Sequence, residues 1–222
     1  MLNVASVAAA QRNQNPPISW GAIMVKAIAL VSQHHPELKR CYMPLPWAHL
    51  YEHPYSVAVI AIERQWQGER AVFFDQIPAP ERKPLREIDR TLQALKKAPV
   101  EAIGGFRRLI RHTRLPPPFR RLIWCIVLYT SGYLRSRYIG TFSINSVPGR
   151  GFPIQVISLP AINFYYGSVA PNGDLHIQIF FDHRMIDGVA VNRLLSKLTV
   201  ALHHKIVAEL NAQEGTQLPT GT

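Results

Sequence analysis

The stretch DHRMIDG, residues Asp182–Gly188, lies between an apolar strand pattern and a long helical pattern. Turns of this kind carry reactive groups on a rigid scaffold, and histidine is the side chain whose charge changes nearest neutral pH, which suits proton abstraction. His183 is therefore a candidate general base, with Asp187 placed to orient its neighbours and Gly188 free to turn the backbone into the helix. A second interpretation fits the same residues: a capped histidine and an aspartate that stabilises the start of a helix through its dipole.

Strand and helix patterns alternate on both sides of this stretch. The strand before it places apolar side chains at every second position from Leu175 to Phe181. Turn residues separate the segments at 67–68, 148–149 and 172–173. We predict strands at 55–62, 71–77, 141–147, 155–159, 161–167 and 175–181, and helices at 19–35, 85–97 and 189–210. This mixed order indicates an α/β sandwich with one large sheet.

The length of 222 residues suits one domain, which we assign to residues 18–210. Apolar residues make up 47% and charged residues 18%, so disorder is expected only in a flexible N-terminal arm at 1–17 and a disordered tail at 211–222. The first residues lack the basic start of a secretory signal, and no run approaches the roughly 20 apolar residues that span a bilayer. Cys41 and Cys125 fit neither a metal knuckle nor a redox pair, which favours a reducing, cytoplasmic setting.

The positive charge of the chain is concentrated in an arginine-rich helical segment, residues 102–138. The net charge is +11, and no Asp or Glu occurs between Ala102 and Gly173. The breaker at 116–118, three prolines, separates two predicted short helices. Three interpretations are open: a solvated face whose apolar half packs on the sheet, docking of residues 106–138 to an anionic membrane surface, or capture of an acidic protein or phosphate-bearing ligand. A strongly basic composition also occurs in nucleic-acid-binding proteins, but no such motif accompanies it, so we expect no nucleic acid.

Several segments are similar to one enzyme family. Asp182–Gly188 resembles the Asp-His-Arg-x-x-Asp-Gly signature of the dihydrolipoyl acyltransferase cores of 2-oxoacid dehydrogenases and, more loosely, the His-x-x-x-Asp-Gly of chloramphenicol acetyltransferases. The segment 140–144, GTFSI, resembles the Gly-Thr-Phe-Thr-Ile strand of the same cores. Segments 22–38, 56–62 and 159–167 resemble the family's first helix and two further strands. The resemblance covers about residues 18–210 and is weakest from 80 to 138.

The resemblance implies a chloramphenicol-acetyltransferase-like fold, an α/β two-layer sandwich whose mixed sheet is flanked by helices and whose chains form trimers. It also implies an acyltransferase with its active site between subunits. His183 would take the proton of a thiol or hydroxyl, which attacks the carbonyl carbon of an acyl thioester. Asp187 would be mainly structural, and we expect Ser143, Asp182 and Arg184 to bind substrate.

The sequence departs from the family at two points. The family serine or threonine that stabilises the oxyanion falls on Asn145, whose amide can also donate a hydrogen bond, while a one-residue shift would deliver Ser146 instead. Nothing that resembles a lipoyl domain precedes Ser19. We therefore expect no bound cofactor and a donor delivered in trans, as acyl-coenzyme A or an acidic acyl carrier protein.

Two functions follow from these residues and both stay open. The first is a homotrimeric acyltransferase in the cytoplasm, peripheral at the membrane if residues 106–138 dock there. The second is a catalytically inactive trimeric core or adaptor, which the loss of the family hydroxyl at Asn145 favours. No metal is expected, because the pairs His34-His35 and His203-His204 are neighbours that face different directions on predicted helices.

Overall fold

The computed structural model describes residues 1–146 and 160–215, with side chains described to residue 212. The predicted strand at 155–159, the turn at 148–149 and the end of the tail lie outside these residues. The strands are β1 Leu2–Asn3, β2 Arg40–Met43, β3 His49–Glu52, β4 Val57–Trp66, β5 Glu69–Pro78, β6 Phe142–Ser146, β7 Ile162–Val169 and β8 Asp174–Phe181. The helices are α1 Ala5–Arg12, α2 Trp20–Ser32, α3 Leu85–Lys97, α4 Gly104–Thr113, α5 Pro117–Cys125, α6 Gly132–Ile139, α7 Gly188–Val200 and α8 Val207–Gly215. Two π-helical turns, Ile126–Thr130 and Ala201–Ile206, follow α5 and α7.

Six strands form one mixed sheet in the order β1-β8-β7-β6-β4-β5, and β2 and β3 form a separate hairpin. β6 pairs in parallel with β4 and β7, and the other neighbours are antiparallel. This arrangement confirms the predicted mixed sheet flanked by helices. Because side chains alternate along a strand, Ile60 and Ile144 lie on a first face of the sheet, and Val59 and Ser143 lie on the second.

A layer of helices covers the first face, with α2 at its centre. Ser19 is the N-cap of α2, and its hydroxyl donates to the Asp89 carboxylate at 2.5 Å. Since α2 contacts α3, α7 and β6, it is buried nearly all round. Even Lys26 is buried, and its ammonium donates to the carbonyl oxygens of Glu81 and Lys83 at 3.1 and 2.5 Å.

The arginine-rich segment folds as three helices, α4, α5 and α6, at the edge and second face of the sheet. Phe106 on α4 is fully buried, with its ring centroid 4.9 Å from that of Phe73. The predicted breaker at 116–118 starts a helix, because the proline at the first position of α5, Pro117, lacks only an N–H that would be unpaired there. Gly140 ends α6 with φ of 85°, which lets the chain turn directly into β6.

The N-terminal residues are not the flexible arm that the sequence predicted. β1 pairs with β8, and α1 packs against α8. Val4 and Val7 are fully buried, and the side-chain amide of Gln14 donates to the carbonyl of Leu210 at 3.0 Å. The prediction was wrong because the few apolar residues of this segment are buried only by contacts with the other end of the chain.

The last helical stretch continues past its predicted end. It runs through α7, the second π-helical turn and α8 to Gly215, so the first part of the predicted tail is helical. Leu198, Leu202 and Ile206 are buried along it. Among the helices of residues 1–146 and 160–215, none is both long and apolar enough to cross a membrane.

Candidate active site

The turn Asp182–Gly188 leaves β8 at the end of the sheet where β7 begins. The amide of Asp182 donates to the carbonyl of Ala161 at 2.9 Å, and the amide of Met185 donates back to the carbonyl of Asp182 at 3.0 Å. Ile186 is buried in the helical layer. These contacts fix both ends of the turn, so its exposed side chains are presented from a rigid frame.

Asp182 and Arg184, which the sequence analysis assigned to substrate binding, bind each other. The Arg184 guanidinium donates to both carboxylate oxygens of Asp182, with distances of 2.5 to 3.1 Å. Hydrogen bonding to Arg184 lowers the pKa of Asp182, although burial opposes the shift. The guanidinium also lies over the ring of Tyr42 on β2, 4.5 Å from its centroid. The pair therefore ties the turn to the β2–β3 hairpin.

Asp187 caps the helix that follows the turn. Its carboxylate accepts a hydrogen bond from the amide of Ala190 at 2.7 Å, and α7 begins at the next residue. We predicted that Gly188 frees the backbone to turn into the helix, but the turn does not require a glycine at this position. Its φ is not in the left-handed region, and a Cβ there would meet no atom within 4 Å among the residues that the structure describes.

His183 is exposed at the tip of the turn. Its ring centroid lies 4.7 Å from that of Phe181, and within the described parts of the chain its side chain has no hydrogen-bond partner. An imidazole held in this way keeps both ring nitrogens available to a molecule or a second chain at the surface.

A large cavity lies on the second face of the sheet, beneath the arginine-rich segment. Its volume is about 660 Å³, and its floor includes Val59 and Ala61 on β4 with Ser143 and Asn145 on β6. Residues of α4, α5 and α6 form the opposite wall. His183 is not among the described residues that line it. One chain therefore does not bring His183 and Asn145 into the same cavity.

A chain of hydrogen bonds positions Asn145 on the cavity floor. The Asn145 amide donates to the Ser143 hydroxyl at 3.3 Å, and that hydroxyl donates to the side-chain oxygen of Asn163 at 2.5 Å. The Asn163 amide in turn donates to the carbonyl of Pro160 at 3.2 Å. An amide group has two N–H donors, and within residues 1–146 and 160–212 only one donor of Asn145 is used, which leaves the other for a ligand. The Ser143 hydroxyl therefore positions the Asn145 amide and donates its own proton to Asn163. Asn163 was not among the site residues predicted from the sequence.

Ser146 faces the opposite side of the sheet from Asn145, because neighbouring residues of a strand alternate. Ser146 lines a separate cavity of about 300 Å³ beside α2 and α3, together with Tyr166. Burial raises the pKa of the Tyr166 hydroxyl, and a hydrogen bond with Ser146 opposes that shift. Asn145 and Ser146, the two candidates for the oxyanion, therefore face different cavities on opposite sides of the sheet.

No group of three or more His, Cys, Asp or Glu side chains is arranged to hold a metal ion in residues 1–146 and 160–212. His203 instead bonds to Ser6 at 2.8 Å and to the carbonyl of Asn3 at 2.9 Å, which joins the N-terminal residues to the second π-helical turn.

Solved structures resemble this chain, although no protein-family model matches the sequence and no curated protein is significantly similar to it. Dihydrolipoamide acetyltransferase from Azotobacter vinelandii, studied for the roles of a serine, a histidine and an asparagine in its catalytic mechanism, superposes with a TM-score of 0.64 at 18% identity. The match covers 94% of this chain and 81% of that one. The cubic core of the pyruvate dehydrogenase multienzyme complex also gives 0.64, at 17% identity over 94% and 81% of the two chains.

A chloramphenicol acetyltransferase superposes with a TM-score of 0.55 at 12% identity, over 90% of this chain and 85% of that one. Each of these three matches covers at least 90% of this chain. The chain therefore has the fold of chloramphenicol acetyltransferase and of the dihydrolipoamide acetyltransferase cores, as its resemblance to the latter predicted.

Proposed function

We propose that the chain is an acyltransferase that moves an acyl group from a thioester donor, acyl-coenzyme A or an acyl carrier protein, to a thiol, hydroxyl or amine. The observation that carries this proposal is the presentation of His183, an exposed imidazole on a turn that Asp182, Arg184 and Asp187 fix. The likeness in fold to dihydrolipoamide and chloramphenicol acetyltransferases supports the same chemistry. The histidine and asparagine studied in the Azotobacter enzyme stand four positions apart, as His183 and Asp187 do.

In this proposal His183 is the general base. A ring nitrogen takes the proton of the acceptor thiol or hydroxyl while the sulfur or oxygen attacks the thioester carbonyl carbon. The carbonyl electron pair moves to oxygen, and the Asn145 amide donates a hydrogen bond to the resulting oxyanion. The tetrahedral intermediate then collapses, the carbon–sulfur bond breaks, and the departing thiolate takes the proton from the imidazolium of His183. Asp187 positions the histidine by fixing the end of its turn.

The active form in this proposal is a homotrimer with its sites between chains. Because His183 is exposed and Asn145 lies in the cavity, the two groups meet when His183 of one chain reaches the cavity side of a neighbour. The likeness to the cubic core of a multienzyme complex supports an active form with several chains. A chain alone would then fold but would not contain a complete site.

The test is transfer from a panel of acyl-coenzyme A and acyl carrier protein donors to small thiol and alcohol acceptors, followed by thiol release and product mass. We expect transfer from at least one donor by the trimeric fraction. If a folded trimer transfers no acyl group from any donor, the result would favour the alternative of an inactive structural core or adaptor.

The positions of Asn145 and Ser146 give a first prediction. Asn145→Ala is expected to lower kcat about 100-fold, because one oxyanion donor typically contributes 100- to 1,000-fold. Ser146→Ala is the matched control on the other face and is expected to change kcat less than twofold. Steady-state kinetics with the preferred donor measures both. A larger loss in Ser146→Ala than in Asn145→Ala would contradict the proposed oxyanion role.

We also propose that the arginine-rich segment docks on an anionic membrane surface. Phe119, Leu122, Ile126 and Tyr129 are exposed, and their spacing places them along one side of α5 and the π-helical turn that follows it. The exposed Arg120 flanks this stripe. Apolar side chains beside arginines are suited to the headgroup boundary of an anionic bilayer.

Vesicle flotation tests this docking. The protein is expected to float with vesicles that contain phosphatidylserine at low salt, and to be released as salt screens the arginines. Leu122→Ser should weaken flotation, whereas Leu50→Ser, which changes a similarly exposed leucine on β3, should not. Equal flotation with neutral phosphatidylcholine vesicles, or none with either, would contradict docking through charge.

A further inference from the structure

The cavity on the second face of the sheet has an apolar middle. Val59, Ala61 and Phe74 form the sheet side, and Leu109 and Trp124 lie in the opposite wall. A volume of about 660 Å³ falls within the range of small-molecule sites, which are mostly apolar with a few fixed polar groups. The wall helices belong to the part of the chain in which the family resemblance is weakest.

Polar groups occur at two places around this apolar middle. Asn145 lies on β6 with its amide held by Ser143. Arg108 and His112, one helical turn apart on α4, lie on the β5 side. Arg108 lies over the ring of Tyr138 at 5.3 Å and forms no ion pair within 4.0 Å in the described residues.

We propose that this cavity binds the aliphatic chain of an anionic acyl compound, with the chain between the sheet and α4–α5 and the negative group at Arg108 and His112. The proposal rests on the proposed function in one respect: the bound chain is taken to be the acceptor chain of the transfer reaction, with its negative group at Arg108 and its reacting group towards Asn145. It goes beyond that function because it assigns a substrate class and a chain-binding site to residues 104–139.

The apolar middle favours a chain over a more polar ligand. Val59 and Ala61 follow one strand and Val72 and Phe74 the next, so the floor offers hydrocarbon across two neighbouring strands. Trp124 and Leu109 are only partly buried, which leaves their apolar surface to be covered by a ligand. Arginine beside such a surface recognises a carboxylate or phosphate with charge-assisted hydrogen bonds.

Binding is measured by calorimetry with saturated fatty acids from butanoate to hexadecanoate and with the matching primary alcohols. Each added methylene that enters the cavity should strengthen binding about fourfold, until the cavity is full and the affinity levels off. The fatty acids should bind more tightly than the alcohols of equal length. Arg108→Gln should reduce the ratio of fatty-acid affinity to alcohol affinity about tenfold, whereas Arg114→Gln should leave this ratio unchanged. Affinity that is independent of chain length would overturn the proposal.

Two filling variants locate the site. Val72→Phe changes a half-exposed side chain at the cavity and should weaken hexadecanoate at least tenfold, whereas Val200→Phe, at an equally exposed position on α7, should leave it unchanged. Ala61→Phe fills the floor more deeply, and Ala208→Phe is its exposed control. Both cavity variants are compared by circular dichroism and urea unfolding before binding is measured. Unchanged hexadecanoate binding in folded Val72→Phe would overturn the proposed location.

Transfer assays separate this inference from the proposed function. If the cavity holds the acceptor chain, kcat/KM for acceptors rises with their chain length, and Val72→Phe moves the optimum to shorter chains. Binding that depends on aliphatic chain length, without transfer from any donor, would support the cavity site and contradict the proposed function. Transfer with a flat chain-length profile and no fatty-acid binding would retain the function and overturn the cavity proposal.

Discussion

Replacing His183 with alanine is expected to lower acyl transfer by about 100- to 10,000-fold, the usual contribution of a general base. The loss should appear in kcat, because the imidazole acts on the proton that moves in the transition state. The fold should be unaffected, since the side chain is exposed and makes a ring contact only with Phe181. Rates are measured with the best donor, and unfolding by urea checks the fold.

The control is His204→Ala, which removes another exposed histidine, from the π-helical turn after α7. It should keep the rate within about twofold. Mixed trimers made from His183→Ala and Asn145→Ala chains provide a sharper check. If the site is shared between chains, some interfaces of a mixed trimer combine an intact His183 from one chain with an intact Asn145 from its neighbour. Activity that survives His183→Ala would contradict the role of His183 as general base. Mixed trimers that recover no activity would contradict a site shared between chains.

Phe106→Ala is expected to lower the free energy of unfolding by about 3–5 kcal/mol, which is typical of deleting a buried phenylalanine. Phe106 is fully buried, and its ring packs 4.9 Å from Phe73 on β5. It is the only residue of α4 that is buried, so its loss leaves a cavity at the attachment of this helix. Urea unfolding followed by circular dichroism measures the change.

Phe119→Ala makes the same substitution in the same segment at a side chain that is 60% exposed. It should change the free energy of unfolding by less than about 0.5 kcal/mol. Equal destabilisation by the two substitutions would mean that α4 is not anchored through Phe106.

Local patterns in the sequence predicted the helices and strands that bury only one of their faces. α3 occupies the predicted residues 85–97, because its apolar positions repeat with the helical period. β8 overlaps the predicted strand 175–181, because its apolar and polar positions alternate. The turn between β8 and α7 was predicted from the Asp182–Gly188 motif, and Asp187 lies at the start of α7.

Contacts between distant parts of the chain were not predictable in the same way. β1 is two residues long, and its pairing with β8 joins Leu2 to Leu175. The cavity likewise requires α4–α6 to fold back over a sheet whose strands come from both halves of the chain. Asn163 gave a usable signal, because it is a polar residue within an otherwise apolar strand pattern. Alternation along a strand at 141–147 likewise predicts that Asn145 and Ser146 lie on opposite faces of the sheet.

The helix α5 has no buried residue, although it forms part of the wall over a large apolar cavity. Local stability follows the number of buried apolar contacts, so α5 is expected to open more often than the sheet or the helical layer. Its amide protons should therefore exchange early with solvent, well before those of α2, which is buried nearly all round.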